Sequence, residues 1–281
     1  MTRWFAVLAA PVLLCGCPDG GKVSEEKAAQ AAARVAPVVK ADVEQVRHGL
    51  PEGAKKLGSL LDTDPGANPS GLQRSIGAAR AATPQLDTAK STFFSFADTT
   101  GVVVRSEADP DTLAQRSILV PFPALKKALE PSAGVVEVIG DMAELGGVRG
   151  KSDRQWVLAH PVKDAEGVVK GMFVTGWSFR RYAYYLEEAA KREQHEDAQK
   201  RGEKSVPLLY VFMVHDKQAF GAPLTPPVDE QAIEKLDVVS KTSAGPFRGQ
   251  VVVTERTFGV AAQRTPELGP DTAVAVLLSE I

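Results

Sequence analysis

Residues 94–104 read Phe94-Ser-Phe-Ala-Asp98-Thr-Thr-Gly101-Val-Val-Val104, which is two apolar runs around a four-residue turn. Aromatic and β-branched runs bounded by turn residues are typical of strands. Gly101 can take the positive φ that a tight hairpin needs. The stretch therefore predicts a β-hairpin, with strands at 93–97 and 102–105 and a turn between them.

Three more strands are predicted after this hairpin, at about 134–139, 155–162 and 168–177. The last two flank Lys163-Asp-Ala-Glu-Gly167, which we interpret as another turn. Asp98 and Asp164 are interpreted as turn residues whose side chains bond the backbone two residues on. Between the hairpin and these strands, short helices are expected from Asp109 and at 121–129.

A second, shorter copy of this order follows a charged connecting helix, which is predicted at 178–201 because apolar residues recur there at three- and four-residue steps. Trp177, at the end of the preceding strand, is expected to pack against that helix. The second copy is predicted to comprise strands at 206–214 and 219–222, a helix at 227–236, and strands at 247–255, 257–264 and 271–278.

The region before the hairpin is predicted to be helical. Residues 24–48 place valines at helical spacing in an Ala-, Lys- and Glu-rich segment, with Ser24 as the expected N-cap. Pro37 is expected to kink or divide this helix, since proline removes a backbone donor and clashes with the preceding turn. Gly53, Gly58 and the turn-rich residues 62–69 are expected to end it, and a second helix is predicted at 71–90.

This order of elements resembles the double Cache family, the tandem PAS-like sensing domains of bacterial chemoreceptors and histidine kinases. Residues 94–104 are similar to the family's strand, Asp-x-x-Gly turn and second strand, and residues 156–171 are a second stretch of similar pattern. The resemblance covers roughly residues 38–281. It implies an α+β fold, with a long N-terminal helical segment followed by two PAS-like modules, each an antiparallel sheet with short helices.

The resemblance also implies a ligand site. Family members bind small molecules, often amino acids, amines or carboxylates, mainly in the first module, and the amino-acid-binding members carry an Arg-x-Trp pair on the third strand. Arg154 and Trp156 lie where that pair would be, as a guanidinium clamp for a carboxylate and a stacking wall. Arg116, in the short-helix region that lids the pocket in such folds, is the third candidate. A surface Arg beside a core Trp is the alternative interpretation.

The chain departs from the amino-acid-binding pattern at two places. These family members have an aromatic residue directly after the Trp and an acid late on the last strand of the module. Here the corresponding positions hold Val157 and Thr175-Gly176. The departures argue against the amino-acid-binding pattern in its usual form.

The first 17 residues have the pattern of a lipoprotein signal. Arg3 precedes an apolar run from Trp4 to Leu14, which is shorter than the roughly 20 residues that a membrane helix needs. The ending Leu14-Cys15-Gly16-Cys17 resembles the lipobox of bacterial lipoproteins, which implies a lipid on Cys17. Cys15 fits that role less well because Leu14, and not a small residue, precedes it. An ordinary secretory signal cut elsewhere, or a short membrane anchor, is the alternative.

The chain is accordingly divided into six predicted parts. They are a signal peptide at 1–16, a lipid-anchored tether at 17–23, a helical lead segment at 24–90, a first and larger module at 91–178, a connecting helix at 179–204, and a second module at 205–281.

The composition argues against several other functions. The 33 basic and 35 acidic residues give a formal charge of −2, which leaves no basic excess for nucleic acid. Four His and two Cys, without a His-Glu-x-x-His pattern, a Gly-x-Ser-x-Gly elbow or a P-loop, predict no metal, no cofactor and no catalytic site. His160 and His215, each near a strand end, are interpreted as structural, with a pH-sensitive role as the alternative.

The resulting hypothesis is a lipid-anchored extracytoplasmic sensor, held on the inner or outer membrane. It would recognise a small polar ligand, such as a carboxylate or amino acid, in the first module and pass the signal to a separate membrane partner. The alternative is a non-catalytic envelope scaffold or interaction protein that keeps the fold without a ligand pocket. A hydrolase with a dispersed site is a third hypothesis.

Overall fold

Two five-stranded antiparallel sheets follow one another along the chain in the computed structural model, which describes residues 20–61, 64–142, 153–203 and 205–280. The first sheet contains β1 (Phe93–Asp98), β2 (Val103–Ser106), β3 (Val136–Asp141), β4 (Arg154–Lys163) and β5 (Val169–Ser178). The second contains β6 (Leu209–His215), β7 (Gln218–Gly221), β8 (Phe247–Val253), β9 (Arg256–Arg264) and β10 (Thr272–Ser279). The predicted α+β fold with two repeated modules is confirmed.

The repeat extends to the order of the strands within each sheet. The first sheet runs β2-β1-β5-β4-β3 and the second runs β7-β6-β10-β9-β8, so each strand has a counterpart at the same place in the other sheet. In both, the last strand along the chain lies in the centre, where it pairs with the first and fourth strands of its module.

The helices occupy the start of the chain, the connection between the sheets and the second module. They are α1 (Gly20–Leu60), α2 (Pro69–Ala81), α3 (Pro84–Asp87), α4 (Phe179–Arg201), α5 (Pro227–Leu236) and α6 (Val238–Lys241), with a 3-10 helix at Pro123–Leu129. Among the residues that the structure describes, no helix is long and apolar enough to span a bilayer.

Both hairpin turns of the first sheet form as predicted. Asp98 accepts hydrogen bonds from the backbone N–H groups of Thr100 (2.8 Å) and Val102 (3.0 Å), and Gly101 has a φ of 82°. Asp164 and Gly167 repeat this arrangement in the turn between β4 and β5, where the φ of Gly167 is 81°. Local side-chain chemistry thus determines where these strands reverse.

Helix α1 begins before the expected N-cap Ser24 and does not end at Gly53 or Gly58, so these expectations are wrong. Its end at Leu60, ahead of the turn-rich residues 62–69, is as expected. Helix α1 is 41 residues long and runs through Pro37, Gly53 and Gly58 without ending. Its buried stripe continues past these positions at three- and four-residue steps, through Val39, Val43, Val46, Leu50, Ala54 and Leu57. Burial of that continuous stripe stabilises the helix by more than the proline and glycines cost.

Two smaller helix predictions also need correction. The helix predicted at 71–90 is two helices, because Thr83 precedes Pro84 and takes an extended conformation (φ −114°, ψ 100°) that breaks the helix. No helix begins at Asp109-Pro110-Asp111 in the described chain. The Asp111 carboxylate instead accepts hydrogen bonds from the backbone N–H groups of Leu113 (3.0 Å) and Ala114 (3.1 Å), which holds a turn.

Helix α1 covers one face of each sheet and so joins the modules into one core. Its buried stripe packs with residues from both sheets, among them Phe94, Trp156, Phe173, Val211, Ala261 and Val276. At two places the approach is close enough to require glycine. A Cβ at Gly58 of α1 would overlap the carbonyl oxygen of Lys163 in β4, and a Cβ at Gly259 of β9 would overlap the backbone of Ser24 in α1.

We expect Gly58→Ala to destabilise the protein by about 1–3 kcal/mol, because the added methyl group must push α1 away from β4. Gly77→Ala is the matched control, since Gly77 lies inside α2 and its Cβ would meet only the Glu107 side chain at 3.7 Å. There the higher helix propensity of alanine should stabilise by up to about 1 kcal/mol. Urea unfolding of both variants measures the difference, and a stabilised Gly58→Ala variant would contradict the close packing of α1.

Candidate functional site

The two faces of the first sheet are covered by different parts of the chain. Side chains alternate along a strand, so Trp156, Leu158 and Val162 of β4 point toward α1. Val157 and Ala159 point the other way and pack in a separate apolar cluster with Phe122, Leu125 and Met172. That second face lies under the short-helix region, where the resemblance implies a ligand pocket. Its described side chains are mainly apolar, with Ser95 and Gln155 as buried polar members.

Trp156 is fully buried on the α1 face, in a ladder of three aromatic rings. Its ring centroid lies 4.5 Å from that of Trp177, and Trp177 stacks on Tyr182 of α4 at 4.3 Å with 16° between the ring planes. The prediction that Trp177 packs against the connecting helix is confirmed. The position of Trp156 agrees with the alternative interpretation of a core tryptophan.

Both ends of this aromatic ladder are connected to α1 by hydrogen bonds, one directly and one through Glu137. The Tyr182 hydroxyl donates to Asp42 of α1 at 2.8 Å, and burial together with the Asp42 carboxylate raises the pKa of Tyr182 well above its ordinary value. At the other end, Trp156 Nε1–H donates to Glu137 Oε2 at 3.1 Å. Glu137 is in turn held by Arg47 of α1, whose Nη2 lies 2.8 Å from Glu137 Oε2.

Arg47 also connects the two modules. The same guanidinium that binds Glu137 of β3 donates to the backbone carbonyl of Glu267, which lies between β9 and β10 of the second sheet. A single side chain of α1 therefore bonds to both modules at once.

Arg154 forms a second polar connection between the modules, which we call the Arg154 clasp. Its Nε donates to Asp141 Oδ1 at 2.7 Å within the first sheet. Its Nη1 lies 2.8 Å from His215 Nδ1, and its Nη2 donates to Gln218 Oε1 at 3.0 Å, both in the second sheet. All three guanidinium nitrogens are thus engaged by protein groups.

The Arg154 clasp requires a neutral imidazole at His215. A guanidinium can only donate, so His215 Nδ1 must accept and the ring proton must be on Nε2. The pKa of His215 is lowered, mainly by burial, and the Arg154 guanidinium adds to this effect. Asp216, Asp271 and Asp141 oppose it. The edge of the Phe179 ring, 6.5 Å from the imidazole between ring centroids, contributes an apolar neighbour.

A cleft of about 290 Å³ lies between the modules beside the Arg154 clasp. The first module lines it with Glu137, Ile139 and Trp156, and the second with His215 and residues 268–271. Trp156 therefore lines the cleft. Arg154 does not line it but bonds to His215, which does. We call this the intermodule cleft.

Arg116 is not part of this arrangement. Its carbonyl accepts a hydrogen bond from Val103 N at 2.8 Å, which places it at the β2 edge of the first sheet. Strands β1 and β5 separate that edge from β4. Two of the three predicted ligand-binding residues thus lie near each other and the third lies elsewhere.

Several residues of this region were missed by sequence reasoning. Asp42, Arg47 and Glu137 lie in segments whose local pattern predicts only a helix or a strand, and nothing near them in the sequence indicates their partners. Buried Asp153 was also missed. It accepts from the Ser178 hydroxyl at 2.5 Å, and burial holds the pKa of its carboxyl above the ordinary value. His215 was considered as a pH-sensitive group but without its Arg154 contact.

No protein-family model and no curated protein sequence matches the chain. Solved structures do match. An extracellular ligand binding receptor from Desulfohalobium retbaense is 14% identical, with a TM-score of 0.51 over 88% of this chain and 39% of that chain. The chain therefore spans well under half the length of that receptor.

Two shorter structures are similar over almost their full length. A domain from Vibrio parahaemolyticus assigned to the sensory box/GGDEF family is 9% identical, with a TM-score of 0.55 over 93% of this chain and 98% of that one. The sensor domain of the V. cholerae histidine kinase DctB is 14% identical, with a TM-score of 0.50 over 92% and 98%. The chain has the fold of extracytoplasmic, Cache-like sensor domains, as the sequence resemblance implied.

We expect the free energy of unfolding to fall as the pH drops below about 6.5, the ordinary pKa of His. Because the fold lowers the pKa of His215, the unfolded chain takes up a proton that the folded chain resists, so the contribution of His215 to stability is complete above about pH 6.5 and is lost below it. His160 has a pKa lowered by burial and contributes with the same sign. Urea unfolding between pH 5 and 7.5 should show a weaker pH dependence in His215→Gln than in the unsubstituted chain.

His160→Gln serves as the control for this experiment, since it removes the other half-buried imidazole with a lowered pKa and does not touch the Arg154 clasp. The two substitutions should each remove a separate part of the pH dependence. An unchanged pH dependence in His215→Gln would contradict the assignment of a neutral, bonded imidazole.

Proposed function

We propose that the chain is a lipid-anchored extracytoplasmic sensor. It binds a small polar ligand, of the carboxylate or amino acid class, at the Arg154 end of the first module and passes the signal to a separate membrane partner. The observation that carries this proposal is the sharing of the Arg154 guanidinium between Asp141 of the first sheet and two groups of the second.

Asp141 is the weak member of the Arg154 clasp. Its side chain is 64% exposed, while that of Arg154 is 19% exposed. Solvent-exposed ion pairs contribute little to stability, so a ligand carboxylate can replace Asp141 at modest cost. The planar guanidinium favours such an exchange, because it can bind a carboxylate through two parallel hydrogen bonds.

The geometry also supplies a route for the signal. A ligand that changes the position of Arg154 changes the bonds of Arg154 to His215 and Gln218. It thus changes the position of the second module relative to the first. Helix α1 contacts both sheets and begins at Gly20, three residues after Cys17. A shift of the modules against α1 would therefore reach the predicted tether.

We expect a carboxylate or amino acid ligand to raise the melting temperature of the full chain, since a ligand at 100 times its dissociation constant stabilises a fold by about 2.7 kcal/mol. Asp141→Asn should strengthen binding several-fold, because the competing carboxylate is gone. Arg154→Gln should abolish it. Asp87→Asn is the matched control, as it makes the same charge change on the exposed surface of α3 and should leave the affinity unaltered.

The measurement is a thermal unfolding screen of the four proteins against amino acids, amines and carboxylates. A ligand whose affinity is equal in the unsubstituted chain and in Arg154→Gln would place the site elsewhere. A cooperatively melting chain that responds to no compound would overturn the sensor proposal.

A scaffold function is the second candidate, and one observation favours it. The face of the first sheet under the short-helix region is packed by the chain's own apolar side chains, and Arg154 is engaged by protein groups. In that case the fold serves to present a surface to another envelope protein. A ligand screen in which no compound raises the melting temperature would support the scaffold function.

The lipid anchor is part of the proposal, and its residue, Cys17, lies outside the described residues. We expect Cys17→Ser to move the expressed full chain from the detergent phase to the aqueous phase in a cloud-point partition. Cys15→Ser, the matched control, should remain in the detergent phase. Intact mass of the purified chain checks the modification directly, and a Cys17→Ser chain that still carries lipid would contradict the assignment.

A further inference from the structure

A groove with no role in the proposed sensor site lies between α1 and α4. Its volume is about 110 Å³. Three layers contribute its apolar floor: Ala31 and Val35 from α1, Leu186 and Ala190 from α4, and Leu209 and Leu278 from the second sheet. These side chains present aliphatic carbon atoms on three sides.

The size of the groove limits what can fill it. An apolar cavity of about 150 Å³ in a protein binds benzene and stays free of water. The groove, at about 110 Å³, is smaller than that, so we expect it to hold a thin aliphatic chain of about five or six carbons better than a ring.

One polar group of the groove lacks a partner. Gln194 lines the groove, and its side-chain amide nitrogen is buried and has no hydrogen-bond acceptor among the described residues. A buried donor without an acceptor costs free energy, which a bound molecule with an oxygen acceptor would recover. The groove therefore favours an aliphatic molecule that carries one such oxygen.

The charges around the groove indicate that this molecule is neutral. Each basic side chain at the rim has an acidic partner. Arg34 of α1 lies 3.3 Å from Asp197 and 3.5 Å from Glu193 of α4, and Glu203 is 2.7 Å from Arg201 and 4.0 Å from Lys27. Three basic and three acidic groups balance, so the rim has no net charge to attract an ionic headgroup.

We propose that the α1–α4 groove is a binding site for a small neutral amphiphile, an aliphatic chain of about five or six carbons with a carbonyl or hydroxyl oxygen. The aliphatic part of this molecule lies against Val35, Leu186 and Ala190, and its oxygen accepts a hydrogen bond from the Gln194 amide. Binding fills the space between the helix that spans both modules and the helix that connects them.

Hexan-2-one is the probe, and hexanoate at pH 7 is the ionic comparison of equal length. We expect hexan-2-one to cause saturable shifts of the Val35 and Leu186 methyl signals in NMR spectra of the full chain. Hexanoate should bind at least tenfold more weakly. Ala190→Leu should abolish the shifts by filling the groove, while Ala33→Leu, the same change at an exposed position of α1, should leave them unaltered.

A second variant keeps the proposal testable if Ala190→Leu does not fold. Gln194→Leu removes the donor and should weaken hexan-2-one binding about threefold to tenfold. It should also raise the melting temperature of the unliganded chain, because the unpartnered amide is gone. Absent methyl shifts, shifts that survive Ala190→Leu, unaltered affinity in Gln194→Leu, or hexanoate binding as strong as that of hexan-2-one would each overturn the proposal.

Discussion

The contact of α1 with both sheets is the constraint on which the rest of this structure depends. One buried stripe of α1, which runs over thirty residues from Ala28 to Leu57, packs on one face of each module. The helix meets backbone directly at Gly58 against Lys163 and at Gly259 against Ser24. Because side chains are absent at those two points, the helix cannot rotate or slide freely, and the two modules share one core.

Polar contacts orient the two modules and α1 relative to one another around this apolar core. Arg47 and Arg154 each bond to both modules, and Asp42 holds the Tyr182 hydroxyl at the start of the connecting helix. Such bonds contribute modestly to stability, yet their geometry is specific. A change at one guanidinium therefore alters the relation between modules more than it alters either module alone.

The sequence predicted strand periodicity, turn chemistry and the ends of α4 and α5 well, and the ends of the helices before the first sheet poorly. Asp98, Gly101, Asp164 and Gly167 act within a few residues of themselves, so their role can be inferred locally. Pro37, Gly53 and Gly58 are helix-breaking by local rules, but the apolar stripe of α1 finds partners in two sheets and the helix continues. Burial contributed by residues distant in the chain outweighed local preference there.

The site residues divide in the same way between features that local sequence predicts and features that packing of distant segments determines. Sequence alone determined that the chain has two repeated antiparallel modules after a helical lead, because period and turn signals are local, while the family resemblance indicated Arg154 and Trp156 as a pair. Only the tertiary structure decided that Trp156 faces α1, that Arg154 bonds to His215 and Gln218, and that Arg116 lies at another edge. Those outcomes depend on which faces of the helices and sheets pack together. The free energy of burying two distant surfaces against each other cannot be inferred from the sequence of either segment alone.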